Sequence, residues 1–131
     1  SFLDIYKKIN MKLYLDDIRF PLLTYKKPEE WETIRNPLEL FMVFCTNYKD
    51  ITHISFDHDL NYYNENDEEI TGYKCLQFIC DFMLEKNIDP SDYIFYFHTA
   101  NPVGKKNMQS YWNNFQRHYK ENNLKDCTKK L

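Results

Sequence analysis

The chain of 131 residues holds two glycines and one alanine, no C-x-x-C pair, no excess of positive charge and no long apolar run. Apolar stretches such as Tyr93 to Phe97 fall far short of the ~20 residues a membrane-spanning helix needs. Residues 1–10 carry charges rather than the apolar core of a secretion signal, so a soluble, cytoplasmic protein that binds no membrane is expected. Without a C-x-x-C pair there is no zinc-ribbon or thiol redox motif. Of Cys45, Cys75, Cys80 and Cys127, three fall on apolar helical positions, so reduced core thiols are expected. A net charge of −3 gives the surface no general pull on polyanions. Duplex DNA is therefore not an expected partner, and any contact with a nucleotide must be local. Internal repeats are absent as well. The residues in abundance, Lys, Asn, Tyr and Phe, have AT-rich codons, which suggests a phage or bacterial source and bears on nothing structural.

What is present is 43% apolar residues and 18% aromatic ones, enough for one domain with a core. That domain is expected over residues 11–122. Residues 1–10 precede Met11 as an extension, native or appended, and 123–131 form a C-terminal tail. Lys12 to Leu15 reads as a short strand that enters Asp16-Asp17-Ile18-Arg19 and ends at Phe20-Pro21. A weaker strand covers about Trp31 to Arg35. Asn36-Pro37-Leu38-Glu39 then carries the marks of a helix start, with a cap, a proline at the first helical position and a capping-box glutamate. Leu38, Phe41, Met42, Cys45 and Tyr48 are its expected apolar stripe. His53 to Phe56 is a third strand, followed by a polar connection from Asn61 to Glu69. A second helix begins near Thr71 with Tyr73, Leu76, Cys80 and Met83 on one face. Tyr93 to Phe97 is a continuous apolar run of the kind covered on both faces of a sheet. The last helix is expected from about Gly104, packing through Met108, Tyr111, Trp112, Phe115 and Tyr119. Strands alternating with helices imply right-handed crossovers and a parallel sheet.

In such a sheet, ligands bind beyond the carboxyl ends of the strands, where loops and helix N-termini converge. All three polar clusters fall there: Asp16 to Arg19, Asp57-His58-Asp59, and His98 to Asn101. Adjacent strands lie about 4.8 Å apart, so acids closing neighbouring strands come within reach of one ion. Carboxylates forced together raise one another's pKa unless a cation intervenes, which points to Mg²⁺ or Mn²⁺. Asp16, Asp17, Asp57 and Asp59 are the candidate ligands, Asp57 first among them. Each feature also has a plainer reading. A lone Asp16 or Asp17 caps a turn, His58 and His98 are satisfied histidines, and the loop from Asn61 is a solvated connection. Lys105, Lys106, Arg117 and Lys120 solvate the last helix, and only Lys105 and Lys106 stand near its N-terminus, where a phosphate could meet them. An HD-type metal phosphohydrolase would be helical and would need further histidines and acids, which are absent at suitable places here, and nothing supports a cysteine nucleophile.

Together, "MKLYLDDIR", "ISFDHDL", "TGYKCL" and "HTANPVG" resemble the cyclic-phosphate-processing receiver-like family, a divergent relative of response-regulator receiver domains. The resemblance runs from Met11 to about Tyr119. It implies a single α/β, flavodoxin-like domain with about four parallel strands in the order 2-1-3-4. In ordinary receivers the acids matching Asp16, Asp17 and Asp57 hold Mg²⁺, and the last of them accepts a phosphoryl group. The chain departs from that pattern in three places. It shows four strand signals rather than five, no helix between Ile18 and Trp31, and His98-Thr99-Ala100-Asn101-Pro102 where a lysine before proline belongs. Phosphorelay chemistry is thereby disfavoured.

The function implied is metal-assisted hydrolysis of a cyclic phosphate, either a 2′,3′-cyclic RNA end or a cyclic nucleotide, in RNA repair or phage counter-defence. Arg19 would offset charge on the phosphoryl oxygens. His98 or His58 would protonate the leaving oxygen. Asn101, Gly104 and Lys105 would bind the phosphate at the start of the last helix. Two alternatives stand beside it: a module that binds a nucleotide or RNA end without turnover, and a degenerate receiver whose partner is another protein.

Overall fold

Alternation within short apolar runs decides the architecture. In the computed structural model, which describes residues 10–129, four parallel strands pair in one sheet. They are β1 (Met11–Leu15), β2 (Trp31–Ile34), β3 (Ile51–Phe56) and β4 (Ile94–Phe97), in the order β2-β1-β3-β4. This is the expected flavodoxin-like order. The register aligns Leu15 with both Ile34 and Phe56, and Phe56 with Phe97, so the strands end level with one another. The polar residues that follow them must therefore share one edge.

Helices α1 (Pro37–Asn47), α2 (Gly72–Lys86) and α3 (Pro102–Lys129) follow β2, β3 and β4. The two crossovers that return to the sheet run in the same direction, and right-handedness then puts their helices on the same face. Leu13, Leu15, Ile54, Phe56, Phe95 and Phe97 point to that face and form one core with Leu40, Phe44, Leu76, Ile79, Met83, Met108 and Trp112. Trp112 of α3 packs on Phe95 at 4.2 Å, so α3 lies there too. The opposite face carries no helix among the described residues. The β1–β2 connection holds only 3-10 turns at Pro21–Leu23 and Pro28–Glu30, and it covers part of that face with Tyr25, which stacks on Trp31 at 4.4 Å. The missing first helix was legible in the sequence.

Several expectations are corrected. β4 is not covered on both faces: it is an edge strand whose Ile94 and Tyr96 are 49% and 43% exposed, because neither a fifth strand nor a helix stands beside them among the described residues. The buried stripe of α1 is Pro37, Leu40 and Phe44, whereas Leu38, Met42 and Cys45 face outward. Among the described residues Cys75 and Cys80 are the buried free thiols, and burial pushes the Cys75 thiol up to about 12 and the Cys80 thiol well above its ordinary value. The side chain of Cys127 lies outside the described residues, as do residues 1–9 of the expected extension. Helix α3 starts two residues earlier than expected, at Pro102, because Asn101 caps it by accepting from the Gly104 amide at 3.0 Å. It runs on through Lys129. No helix among the described residues is long and apolar enough to cross a membrane.

Candidate functional site

Leu13 and Leu15 anchor β1 in the core, so alternation turns Tyr14 and Asp16 to the opposite face. Asp16 is 1% exposed. Its Oδ1 accepts from the amides of Ile18 (2.9 Å) and Arg19 (2.8 Å), closing a tight turn after the strand. Arg35, at the end of β2, clamps that turn from outside by donating to the carbonyls of Asp16 (3.2 Å) and Arg19 (2.7 Å). Asp16 thus satisfies the turn-cap reading through one oxygen and leaves Oδ2 facing inward, 3.0 Å from His98 Nε2.

At the end of β3, Asp57 is 6% exposed and lies on the same face as Asp16. Its Oδ1 accepts from the His58 amide at 2.8 Å. His58 turns away, its Nδ1 2.9 Å from Asp59 Oδ1, while Leu60 plugs into the core and pins the motif. The two glycines of the chain both press on this segment. A Cβ on Gly72 would overlap the carbonyl oxygen of Asp57, and one on Gly104 would come within 2.5 Å of the His58 ring.

At the end of β4, the His98 side chain is buried, with its amide bonded to the Phe56 carbonyl at 3.0 Å. Its ring stacks on Tyr14 at 4.2 Å, and its Nδ1 is 2.7 Å from Ser55 Oγ, which in turn is 2.6 Å from Tyr25 OH. Arg19 donates to the His98 carbonyl at 3.3 Å. Asn101 donates to Asp59 Oδ2 at 3.3 Å while its own oxygen caps α3.

Ligand atoms of Asp16, Asp57 and His98 all lie within 4.8 Å of one another, close enough to share one cation. Their electrostatics suit one. Burial pushes the Asp57 carboxyl above its ordinary range and the Asp16 charge adds to this, against a bond from Thr99. Burial also works on Asp16, but the amides of Arg19 and Ile18 and the His98 ring outweigh it and hold that carboxyl low. Burial pulls His98 below the usual histidine value, against the pull of Asp16, which favours the neutral, ligand-competent imidazole. A neighbouring His58 bond holds the exposed Asp59 low.

Above this cluster opens a cleft of about 450 Å³ lined by Asp16, Asp17, Arg19, Asp57, Asp59 and Asn101. Six of the ten residues singled out in the sequence thus meet in one place, and His98 lies directly behind them. His58 faces a separate cleft between α2 and α3, beside Lys74 and Gln77. Gly104 lies under the His58 ring with its amide bonded to Asn101, and Lys105 is exposed outside the cleft.

Sequence reasoning missed Tyr25, Ser55, Arg35 and Tyr63, and gave Thr99 no role of its own within the His98 to Asn101 cluster. Ser55 carried a signal, since it stands two residues before Asp57 and shares its face. Tyr63 carried none. The connection from Asn61 to Glu69 forms a small hairpin, bridged between Tyr63 and Glu69 and tied by Ile70 N to Tyr62 O at 2.9 Å, which sets both residues on the wall of the cleft.

None of the curated proteins and none of the solved structures compared with the chain matches it. Residues 11–114 do match a family, covering all four strands, the cleft and the cluster behind it. By that match, the chain belongs to the cyclic-phosphate processing receiver domain family.

Proposed function

We propose that this domain is a cation-dependent phosphoesterase that opens the cyclic phosphate of a nucleotide or an RNA end. The observation that carries this reading is the buried Asp16–Asp57–His98 donor set at the sheet edge, within 4.8 Å and beneath a cleft holding Arg19. The cleft lining includes five carboxylates, Asp16, Asp17, Asp57, Asp59 and Glu69, against one guanidinium. Left alone, that balance repels a phosphate; a divalent cation reverses it. When bound, the cation would polarise the phosphoryl group and acidify a water.

The chain's own residues supply the rest. Asp16 and Asp57 hold the charge, with His98 as the nitrogen donor. Two carboxylates with one imidazole suit Mn²⁺ or a later transition metal better than Mg²⁺. Arg19, tethered to the His98 carbonyl, faces the oxygens that gain charge as water adds to phosphorus and the bond to the 2′ or 3′ oxygen breaks. Asn101 orients the group from the opposite wall. Both nitrogens of His98 are engaged, and His58 opens on another cleft, so this reading gives neither the task of proton donor. The leaving oxygen takes its proton from water in the open cleft.

The test is turnover of 2′,3′-cyclic nucleotides, 3′,5′-cyclic nucleotides and an RNA oligomer ending in a 2′,3′-cyclic phosphate, with Mn²⁺, Mg²⁺ or chelator, beside direct binding. Hydrolysis of one class that needs the cation and disappears in Asp57→Asn is expected. Binding without turnover would make the domain a capture module. Neither binding nor turnover would leave a protein-interaction role.

A further inference from the structure

Resting on the cation reading above, the chain of hydroxyls behind His98 carries a second inference. Asp16 Oδ2, His98 Nε2 and Nδ1, Ser55 Oγ and Tyr25 OH stand in a line with successive separations of 3.0, 2.7 and 2.6 Å across the three gaps. Ser55 is fully buried, and the His98 ring is stacked on Tyr14 at 4.2 Å. A neutral imidazole carries one proton, so one nitrogen donates and the other must accept. A carboxylate only accepts, whereas serine and tyrosine hydroxyls can each donate or accept.

Without a cation, Asp16 therefore dictates the tautomer. Nε2–H donates to Asp16, Nδ1 accepts from the Ser55 hydroxyl, and Ser55 accepts from Tyr25. With a cation, Nε2 must offer its lone pair, so the ring proton has to sit on Nδ1 and point at Ser55. Ser55 can accept it by turning its own proton toward Tyr25. We propose that Ser55 and Tyr25 are positioning residues whose reversible hydrogen bonds hold His98 in both of its states, with the ring proton on Nε2 toward Asp16 when no cation is bound and on Nδ1 toward Ser55 when one is. The ring keeps one proton in both states, exchanged through solvent. An apolar residue at position 55 would leave Nδ1 unmatched in both. Tyr25 lies on the β1–β2 connection, six residues after Arg19, so the same bond ties that connection to the site.

The experiment is nitrogen NMR of the His98 ring in full-length protein labelled with ¹⁵N-histidine, without metal and with Zn²⁺ as a diamagnetic probe. Zn²⁺ affinity is measured calorimetrically alongside. The parent should show the Nε2–H tautomer alone and convert to Nδ1–H with Zn²⁺. Ser55→Ala should keep the Nε2–H tautomer that Asp16 dictates without metal, and bind Zn²⁺ about 10- to 100-fold more weakly because Nδ1–H then has no acceptor. Ser55→Thr, which keeps the hydroxyl, should recover most of the parental Zn²⁺ affinity. Tyr25→Phe, a half-buried site that tolerates the change, should weaken Zn²⁺ binding less than Ser55→Ala and keep the metal-free tautomer. An Nδ1–H ring in the metal-free parent, or parental Zn²⁺ affinity in Ser55→Ala, overturns the proposal. A parent whose His98 signals ignore Zn²⁺ overturns the reversal together with the cation reading. A Zn²⁺ response with an unchanged tautomer overturns the reversal alone.

Discussion

The two faces of the sheet are built from alternate residues of the same strands and do different work. Leu13, Leu15, Ile54 and Phe56 face three helices in an apolar core, while Tyr14, Ser55 and Asp57, their immediate neighbours in sequence, face a layer of aromatic rings and hydroxyls. The first face gains stability from area and close packing. The second is half open along β4 and gains orientation: Tyr14 stacks His98, Ser55 bonds it, and Asp16 and Asp57 emerge at the end of the same row. Parity along a strand therefore separates residues that hold the fold from those that aim the site. A receiver-type domain without its first helix has replaced a second dry layer with a polar one.

The largest effect is expected on the helical face. Phe44 is fully buried, and Phe44→Ala should cost about 3–5 kcal/mol in urea unfolding. Mn²⁺ affinity of the folded fraction should stay at the parental value. A matched fall in affinity would break the division between the faces.

A smaller, pH-dependent effect should separate the two buried acids in metal-free protein. The Asp16 carboxyl is held below its ordinary value, so its contribution is present above the ordinary carboxylate range and lost as pH falls through its folded value. Asp16→Asn should cost about 1.5–3 kcal/mol at neutral pH, typical of a hydrogen bond to a charged group, with the gap closing in acid. The Asp57 carboxyl is held above its ordinary value, so stability falls as pH rises from the ordinary range through that raised value. Asp57→Asn should therefore raise the thermal midpoint at neutral pH, with no gain in acid. Midpoints measured across pH for both variants check the opposite signs, and equal signs would contradict the electrostatic account. The smallest effect belongs to the open half of the second face, where Ile94→Ala should change unfolding free energy by no more than about 0.5 kcal/mol.

Much of this was legible because acids at the ends of apolar runs have few places to go. Asp16, Asp57 and His98 each close a strand, and level strand ends bring them together. The inner face of α1 was not legible, since Leu38, Leu40, Phe41, Met42, Val43, Phe44 and Cys45 offer apolar residues at every phase of the helix and periodicity cannot choose among them. For β4, a five-residue apolar run looks the same whether its second face meets a helix or the open air, and the neighbour lies elsewhere in the chain. His98 looked like a residue facing ligand. It is held in place by Tyr14 of β1, which stacks on it, and by Ser55, whose hydroxyl meets Tyr25 of a connection with no periodic pattern. Tyr63 reached the cleft through a hairpin that no turn motif announced.

The central claim is that the edge of the sheet takes up one divalent cation through Asp16, Asp57 and His98. Calorimetric titration of Mn²⁺ into the parent and into Asp57→Asn tests it most directly. The account predicts one site per chain in the parent and its loss in the variant, which remains folded. A parent that takes up no Mn²⁺, or a variant that binds it as tightly as the parent, would contradict it.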